Sequence, residues 1–152
     1  MVTITLETRI NAPAGVCFDL SRNIDMHTVS MKKSKEKAVA GVTSGLIEAG
    51  QFVTWRATHF FIPMYMTVKI VEMQFPHYFI DIMIKGPFKS LWHKHEFLQN
   101  DGYTMMKDEF IIEAPLGILG KIAEMIFLKS YMKNLLTKRN EALKNAAEAS
   151  DG

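Results

Sequence analysis

The order of the predicted elements is the strongest constraint on the fold: a series of strands ends in one long amphipathic helix. Six segments alternate apolar and polar side chains, at residues 35–41, 51–61, 64–73, 77–85, 88–98 and 103–113. Glycine or proline falls between most of them, as is typical of turns. Short connections favour an antiparallel sheet, which must cover its apolar face. Only the following helix is long enough to do so.

The other elements lie towards the two ends of the chain. Val2, Ile4 and Leu6 alternate with polar residues, which predicts a strand over residues 2–10. Two short helices are predicted at 14–20 and 24–31. Pro115, Gly117 and Gly120 precede the long helix, which is predicted to run to about Asn145. The expected fold class is α+β, with a curved antiparallel sheet of about seven strands around the C-terminal helix. The 152 residues are expected to form one domain, 1–146, with a flexible tail at 147–152.

One stripe of the long helix is apolar. At about 100° per residue, the stripe contains Ile118, Ile122, Met125, Met132, Leu136 and Leu143. We expect this stripe to face the sheet. Phe127 and Tyr131 project to the opposite side, where the sheet of the same molecule cannot cover them. They predict either a homodimer contact or peripheral docking on a membrane.

Composition excludes several classes of protein. Eighteen basic and 16 acidic side chains give a net charge of +2, so a nucleic-acid partner is not expected. Cys17 is the only cysteine, which excludes an internal disulfide and a cysteine-cage zinc site. The first residues lack the basic and long apolar segments of a secretion signal, so a cytoplasmic location is expected.

Methionine and phenylalanine are abundant, with 11 and 10 residues. Because methionine adapts to irregular space, this abundance predicts an apolar cavity near Trp55 and Met125, of at least roughly a few hundred Å³. The alternative is a filled core in a lineage that uses methionine freely.

Several segments carry a resemblance to a known family. They are Ile24-Asp25-Met26-His27-Thr28, Val53-Thr54-Trp55-Arg56-Ala57-Thr58-His59-Phe60, Gly86-Pro87-Phe88 through His93-Lys94-His95-Glu96-Phe97, Pro115-Leu116-Gly117 and Arg139-Asn140. Over nearly its whole length the chain resembles bacterial members of the SRPBCC superfamily, which includes START lipid-transfer domains, birch-pollen-allergen-like proteins, and polyketide cyclases and dehydrases. The resemblance implies a helix-grip fold with a hydrophobic cavity between sheet and helix. It indicates no particular reaction, because the superfamily contains carriers, enzymes and protein-binding modules.

Strand periodicity places a few polar side chains on the inner face of the sheet. His93 and His95 share that face in one strand, and Asp108 lies on it in the next. The residues predicted to contact a ligand are Trp55, His59, Met66, His93, His95, Phe97, Met106, Phe110, Ile122, Met125, Met132 and Arg139. Arg139, at the edge of the helix stripe, either extends to solvent at the sheet rim or pairs with an acidic ligand headgroup.

The turn at Asn100-Asp101-Gly102 determines which histidine faces Asp108. An Asp101-Gly102 loop places His95 directly across, whereas an Asn100-Asp101 loop or a four-residue loop places His93 there. A three-residue loop would mix the apolar and polar faces, and is rejected. Asp108 is therefore expected within hydrogen-bonding reach of His93 or His95, and to raise the pKa of that histidine.

Three functions remain open. The first is binding or transport of a small hydrophobic molecule, lipid-, polyketide- or isoprenoid-like, in the cavity. The second is a cyclase or dehydratase in which His93 or His95, paired with Asp108, acts as general base. The third is a protein-interaction module with a filled core.

No cofactor and no metal site is predicted. His93 and His95, with His59 or Asp108, could supply metal ligands, but histidines bonded to a carboxylate are more common. The basic run Lys32-Lys33-Ser34-Lys35-Glu36-Lys37 is expected to form a solvated loop, with contact to anionic lipid as the alternative.

Overall fold

The structure is a computed structural model that describes residues 1–59 and 61–151, without the side chains of Lys33, Met125 and Asp151. Phe60 and Gly152, which belong to the strand predicted at 51–61 and the tail predicted at 147–152, lie outside the described residues. The strands found there are β1 (Val2–Ile10), β2 (Lys37–Gly41), β3 (Phe52–His59), β4 (Ile62–Gln74), β5 (Tyr78–Lys85), β6 (Ser90–Asn100) and β7 (Tyr103–Glu113).

These strands form one antiparallel sheet in the order β1-β7-β6-β5-β4-β3-β2. Two short helices, α1 (Ala14–Ser21) and α2 (Ile24–Ser30), follow β1. The chain ends in a long helix made of α3 (Gly117–Ala123), a π-helical turn (Glu124–Leu128) and α4 (Lys129–Asp151). The predicted α+β arrangement, a curved antiparallel sheet with a long C-terminal helix, is confirmed.

Local signals explain where the short helices begin. Pro13 immediately precedes α1, where its fixed φ suits the entry to a helix. The Asn23 side chain accepts a hydrogen bond from the Met26 N–H at 3.0 Å, which caps the start of α2.

The β6–β7 hairpin has the register of an Asp101-Gly102 loop. Asn100 lies opposite Tyr103, and His95 lies opposite Asp108. Gly102 adopts a φ of +77°, a conformation that glycine reaches without strain. In this register the inward-facing residues of β6 lie opposite the inward-facing residues of β7. The alternation predicted for the two strands is therefore preserved.

The C-terminal end of α4 is anchored to the rest of the chain. Ala147 is buried in the core beside Leu143. Glu148 accepts a hydrogen bond from the Asn11 N–H at 2.9 Å, and the Lys144 ammonium donates to the Arg9 carbonyl. The segment expected to be a flexible tail from residue 147 is therefore helical as far as Asp151.

The start of the long helix does not follow the predicted stripe. Ile118 and Ile122 are 79% and 48% exposed, whereas Leu136 and Leu143 are buried. The inward position is occupied by Glu124, which accepts hydrogen bonds from the Ala114 N–H at 2.7 Å and from the Met1 ammonium at 2.6 Å. The π-helical turn has more residues per turn than an α-helix, so one continuous stripe cannot run through it. None of the described helices is long and apolar enough to cross a bilayer.

Candidate functional site

A cavity of about 220 Å³ lies between the inner face of the sheet and helices α2 and α4. Its wall is mostly apolar and includes Val53, Ala57, Leu91 and Leu135. The volume is smaller than the few hundred Å³ expected. Eight of the residues predicted to contact a ligand lie in this wall: Trp55, His59, Met66, His93, His95, Phe110, Met132 and Arg139.

The other predicted residues lie elsewhere. Phe97 is buried in the core, where its ring packs against Phe18 at a centroid distance of 5.3 Å. Met106 belongs to the same core, and the Ser21 hydroxyl approaches its sulfur at 3.7 Å. Both face inward, but α1 fills the space in front of them. Ile122 is exposed on α3, and the Met125 side chain lies outside the described part of the structure.

The polar end of the cavity is built around the buried carboxylate of Asp108. Its Oδ1 accepts hydrogen bonds from His93 Nε2 at 2.7 Å and Arg139 Nη1 at 3.3 Å, and its Oδ2 accepts one from Asn140 Nδ2 at 2.6 Å. Burial alone would raise the pKa of Asp108, but the Arg139 charge and the His93 hydrogen bond outweigh it and hold the pKa far below its usual range. Asp108 is therefore ionised.

His95 lies between the second guanidinium nitrogen of Arg139 and the carboxylate of Asp81. Arg139 Nη2 is 3.1 Å from His95 Nδ1, and His95 Nε2 is 2.7 Å from Asp81 Oδ2. A guanidinium can only donate, so Nδ1 of His95 is the acceptor and its ring proton lies on Nε2. Burial, and then the charge of Arg139, lower the pKa of His95 well below its usual value, so the ring is neutral.

The expected hydrogen bond between Asp108 and one of the two histidines is thus confirmed. Asp108 bonds to His93, which is diagonal to it, while His95 directly opposite lies at 3.8 Å and bonds to Asp81 instead. Diagonal neighbours are within reach of long side chains. We call these groups, Asp81, His93, His95, Asp108, Arg139 and Asn140, the Asp108 cluster.

Arg139 does not occupy the first of its two expected positions. Its side chain is 4% exposed, so it does not extend to solvent at the rim of the sheet. Asp108 already supplies the anion that an acidic ligand headgroup was expected to supply.

The Asp108 cluster also contains the histidines considered as metal ligands. Among the described residues, Asp81, His93 and His95 place possible ligand atoms within 4.8 Å of one another. Both nitrogens of His95 are already engaged, and the Arg139 cation lies against the same ring. A metal ion would have to displace these bonds and approach a cation, so the arrangement favours a hydrogen-bond network.

A second polar group, which we call the Glu36 cluster, lies in the same cavity wall. His27 Nε2 and the Ser34 hydroxyl each bond to a different oxygen of Glu36, both at 2.9 Å. Burial alone would raise the pKa of Glu36, but the His27 charge and these hydrogen bonds outweigh it and lower the pKa. The His27 ring also packs on Trp55, with centroids 4.2 Å apart. The basic run is therefore not wholly a solvated loop, because Glu36 within it faces inward.

His59 connects β3 to the long helix. Its Nδ1 forms a hydrogen bond with the Tyr131 hydroxyl. Burial lowers the pKa of His59 and raises that of Tyr131. Tyr131 thus lies in the cavity wall, and not on the outer surface where a dimer or membrane contact was expected. Phe127, the other residue expected there, is 63% exposed.

Three residues of these clusters, Asp81, Asn140 and Glu36, are not among the site residues predicted from the sequence. Asp81 and Asn140 occupy positions that strand pairing and helix periodicity could have indicated. Asp81 pairs with His93 across the β5–β6 register, and Asn140 lies one helical turn after the apolar residue Leu136. Glu36 had no such indication, because its contact with His27 depends on a turn at 32–34 and a left-handed Lys35.

The fold is shared with solved structures of low sequence identity. A START superfamily protein from Mycobacterium smegmatis has a TM-score of 0.73 at 11% identity, covering 97% of both chains. Major latex-like protein 151 from Panax ginseng has a TM-score of 0.70 at 12% identity, covering 96% of this chain and 97% of that one. A protein from Thermus thermophilus has a TM-score of 0.74 at 16% identity, covering 96% and 99%. These neighbours confirm the helix-grip fold and the resemblance to START proteins at the level of the fold.

No protein-family model matches the sequence, and no curated protein matches it either.

Proposed function

We propose that this protein binds a small, largely apolar molecule in the cavity between the sheet and α4. The observation that carries the proposal is an apolar cavity of about 220 Å³ with a buried polar cluster at one wall. Apolar walls with a few placed polar groups are typical of small-molecule sites. Lipid-, polyketide- and isoprenoid-like molecules have the matching chemistry.

The Asp108 cluster supports this proposal because it is preorganised. Asp108 accepts from three side chains, and one of them, Arg139, also holds His95. Fixed polar groups lose little conformational entropy when a ligand binds. A polar end held in this way can orient one end of an apolar molecule.

Filling the cavity tests the proposal. Ala57 lies in the wall, so Ala57→Phe should occupy the space that a ligand needs, whereas Ala40→Phe on the exposed side of β2 should not. The probe is N-phenylnaphthylamine, a neutral apolar dye whose emission rises in apolar surroundings. We expect binding by the unmodified protein and by Ala40→Phe, and a loss of at least about tenfold in affinity for Ala57→Phe. Equal binding by all three proteins, or by none, would contradict the proposal.

A second candidate function is general-base catalysis by His93. It is favoured by the 2.7 Å hydrogen bond from His93 to the ionised Asp108, which holds the ring in the tautomer that carries its proton on Nε2. The opposite nitrogen could then remove a proton next to a ligand carbonyl, as a dehydratase or cyclase requires. In deuterated buffer, NMR should show exchange at the α carbon of decan-2-one that is abolished by His93→Phe and kept by His77→Phe, which alters an exposed histidine. No exchange above buffer would leave binding as the function.

A further inference from the structure

One ring nitrogen of His93, Nδ1, is available to accept a hydrogen bond from a ligand. Because Asp108 is ionised and accepts from His93 Nε2, the proton of a neutral His93 ring lies on Nε2 and its Nδ1 is a hydrogen-bond acceptor. Nδ1 has no partner among the described residues. Among the described residues, Asn140 Oδ1 is the only unpaired side-chain nitrogen or oxygen that is fully enclosed. His93 Nδ1 is therefore not fully buried. His93 lines the cavity, so the open side of this nitrogen faces it.

Asp81 offers a second acceptor in the same wall. Its Oδ2 accepts from His95, while Oδ1 has no partner within the described part of the chain. Its side chain keeps 15% exposure and lines the cavity. Unlike the fully enclosed Asn140 Oδ1, His93 Nδ1 and Asp81 Oδ1 border the cavity, and both can accept a hydrogen bond from a ligand.

The positive charge in this wall is already balanced. Arg139 donates to the Asp108 carboxylate at 3.3 Å and to the neutral ring of His95 at 3.1 Å. Asp81 adds a second carboxyl, so the cluster has no uncompensated cation for an anionic ligand. Arg139 still has further N–H groups, which can donate to a ligand oxygen.

We propose that the ligand presents a neutral hydroxyl group, as in an alcohol, phenol or enol, which donates its proton to His93 Nδ1. This inference rests on the proposed function and specifies the ligand. An ether or a carboxylate can accept from Arg139 but leaves His93 Nδ1 unpaired, and a carboxylate also meets Asp81. An ammonium group can donate, but it must bring a full charge into an apolar cavity.

A matched series of straight-chain ligands tests the hydroxyl. Decanol, methoxydecane, decanoate and decylamine share an apolar chain and differ in the polar end. Affinities are measured by calorimetry on the full chain at about pH 8, above the ordinary histidine pKa of about 6.5. We expect decanol to bind about fivefold to tenfold more tightly than each of the others, as one buried hydrogen bond allows.

His93→Phe keeps a ring of similar shape and removes the acceptor. It should abolish the preference for decanol over methoxydecane, and the control His77→Phe should keep it. If the His93 variant fails to fold, the ligand series on the unmodified protein decides alone. Equal or tighter binding of any other member overturns the hydroxyl inference and leaves the proposed function standing. Binding of none of the four overturns both.

Discussion

Asp108 holds together side chains from two strands and the long helix. Its carboxylate is fully buried and accepts hydrogen bonds from His93 on β6 and from Arg139 and Asn140 on α4. A buried ion pair adds little net stability against an apolar replacement, but the loss of one partner leaves the other charge unpaired. Replacing the whole ion pair with apolar side chains and removing only one of its partners therefore have different consequences for stability.

Removing the charge of Asp108 should destabilise the protein strongly. Asp108→Asn keeps the shape of the side chain and leaves the Arg139 guanidinium buried without an anion. We expect the free energy of unfolding to fall by about 3–5 kcal/mol in urea titrations. Glu109→Gln, on the exposed face of the same strand, is the control and should change it by less than about 0.5 kcal/mol. Equal effects of the two variants would show that the cluster is not a stabilising ion pair.

His95 should stay neutral in mildly acidic solution. Its pKa is lowered by burial and by the charge of Arg139, so protonation requires a lower pH than in the unfolded chain. At about pH 5.5, where an ordinary histidine with a pKa of about 6.5 is mostly charged, we expect nitrogen NMR to show a neutral ring with its proton on Nε2. The same ring in urea should titrate normally. A charged His95 in the folded protein at that pH would contradict the assigned hydrogen bonds.

Parts of the site could be predicted from the sequence because they depend on local backbone geometry. Alternation in β6 and β7 placed His93, His95 and Asp108 on one face. Which histidine bonds to Asp108 depends on Arg139 and Asn140, about 30 residues away in the chain, and strand periodicity contains no information about them.

At the scale of elements, the strands could be predicted closely and the long helix only in its second half. β7 lies at the predicted residues 103–113, since two-residue alternation is a local signal. The first part of the helix is oriented by Glu124, which bonds to the Met1 ammonium 123 residues away. A helical wheel cannot include a contact of that kind.

The exposed apolar side of α3 and the π-helical turn should bind to anionic membranes. Leu116, Ile118 and Phe127 are each more than 60% exposed. Four lysines lie between residues 115 and 138, and the only acid there, Glu124, is bonded to the Met1 ammonium. This charge favours anionic lipid headgroups and disfavours a symmetric pair of copies.

Sedimentation with phosphatidylserine–phosphatidylcholine vesicles checks this expectation. We expect the protein to sediment with them, and to do so several-fold less after Ile118→Ser combined with Phe127→Ser. Val39→Ser, which also removes an exposed apolar side chain, is the control on β2. A dimer in light scattering that the double variant dissociates, without vesicle binding, would contradict membrane docking.

At the scale of the whole molecule, carboxylates join the long helix to the sheet and to the N-terminal segment. Asp108 bonds to Arg139 and Asn140, Glu124 to the Met1 ammonium and the Ala114 N–H, and Glu148 to the Asn11 N–H. Charges or hydrogen bonds from these partners lower the pKa of each carboxyl in the folded state. Contact between helix and sheet therefore depends on ionised acids.

Acid should weaken the protein through these groups. A carboxyl with a lowered pKa binds protons more readily in the unfolded chain, so its stabilisation is complete above the unfolded value of about 4 and is lost as the pH falls below it. Protonation of Asp81 has the opposite effect on stability, because burial raises the pKa of this carboxyl. The three carboxyls that join the long helix to its partners outnumber it. We expect the free energy of unfolding in urea to fall with decreasing pH below about pH 4, that is, with a positive slope against pH. Glu148→Gln should reduce that slope and Glu141→Gln, exposed on the same helix, should not; a flat profile would show that ionised acids do not hold the helix to the sheet.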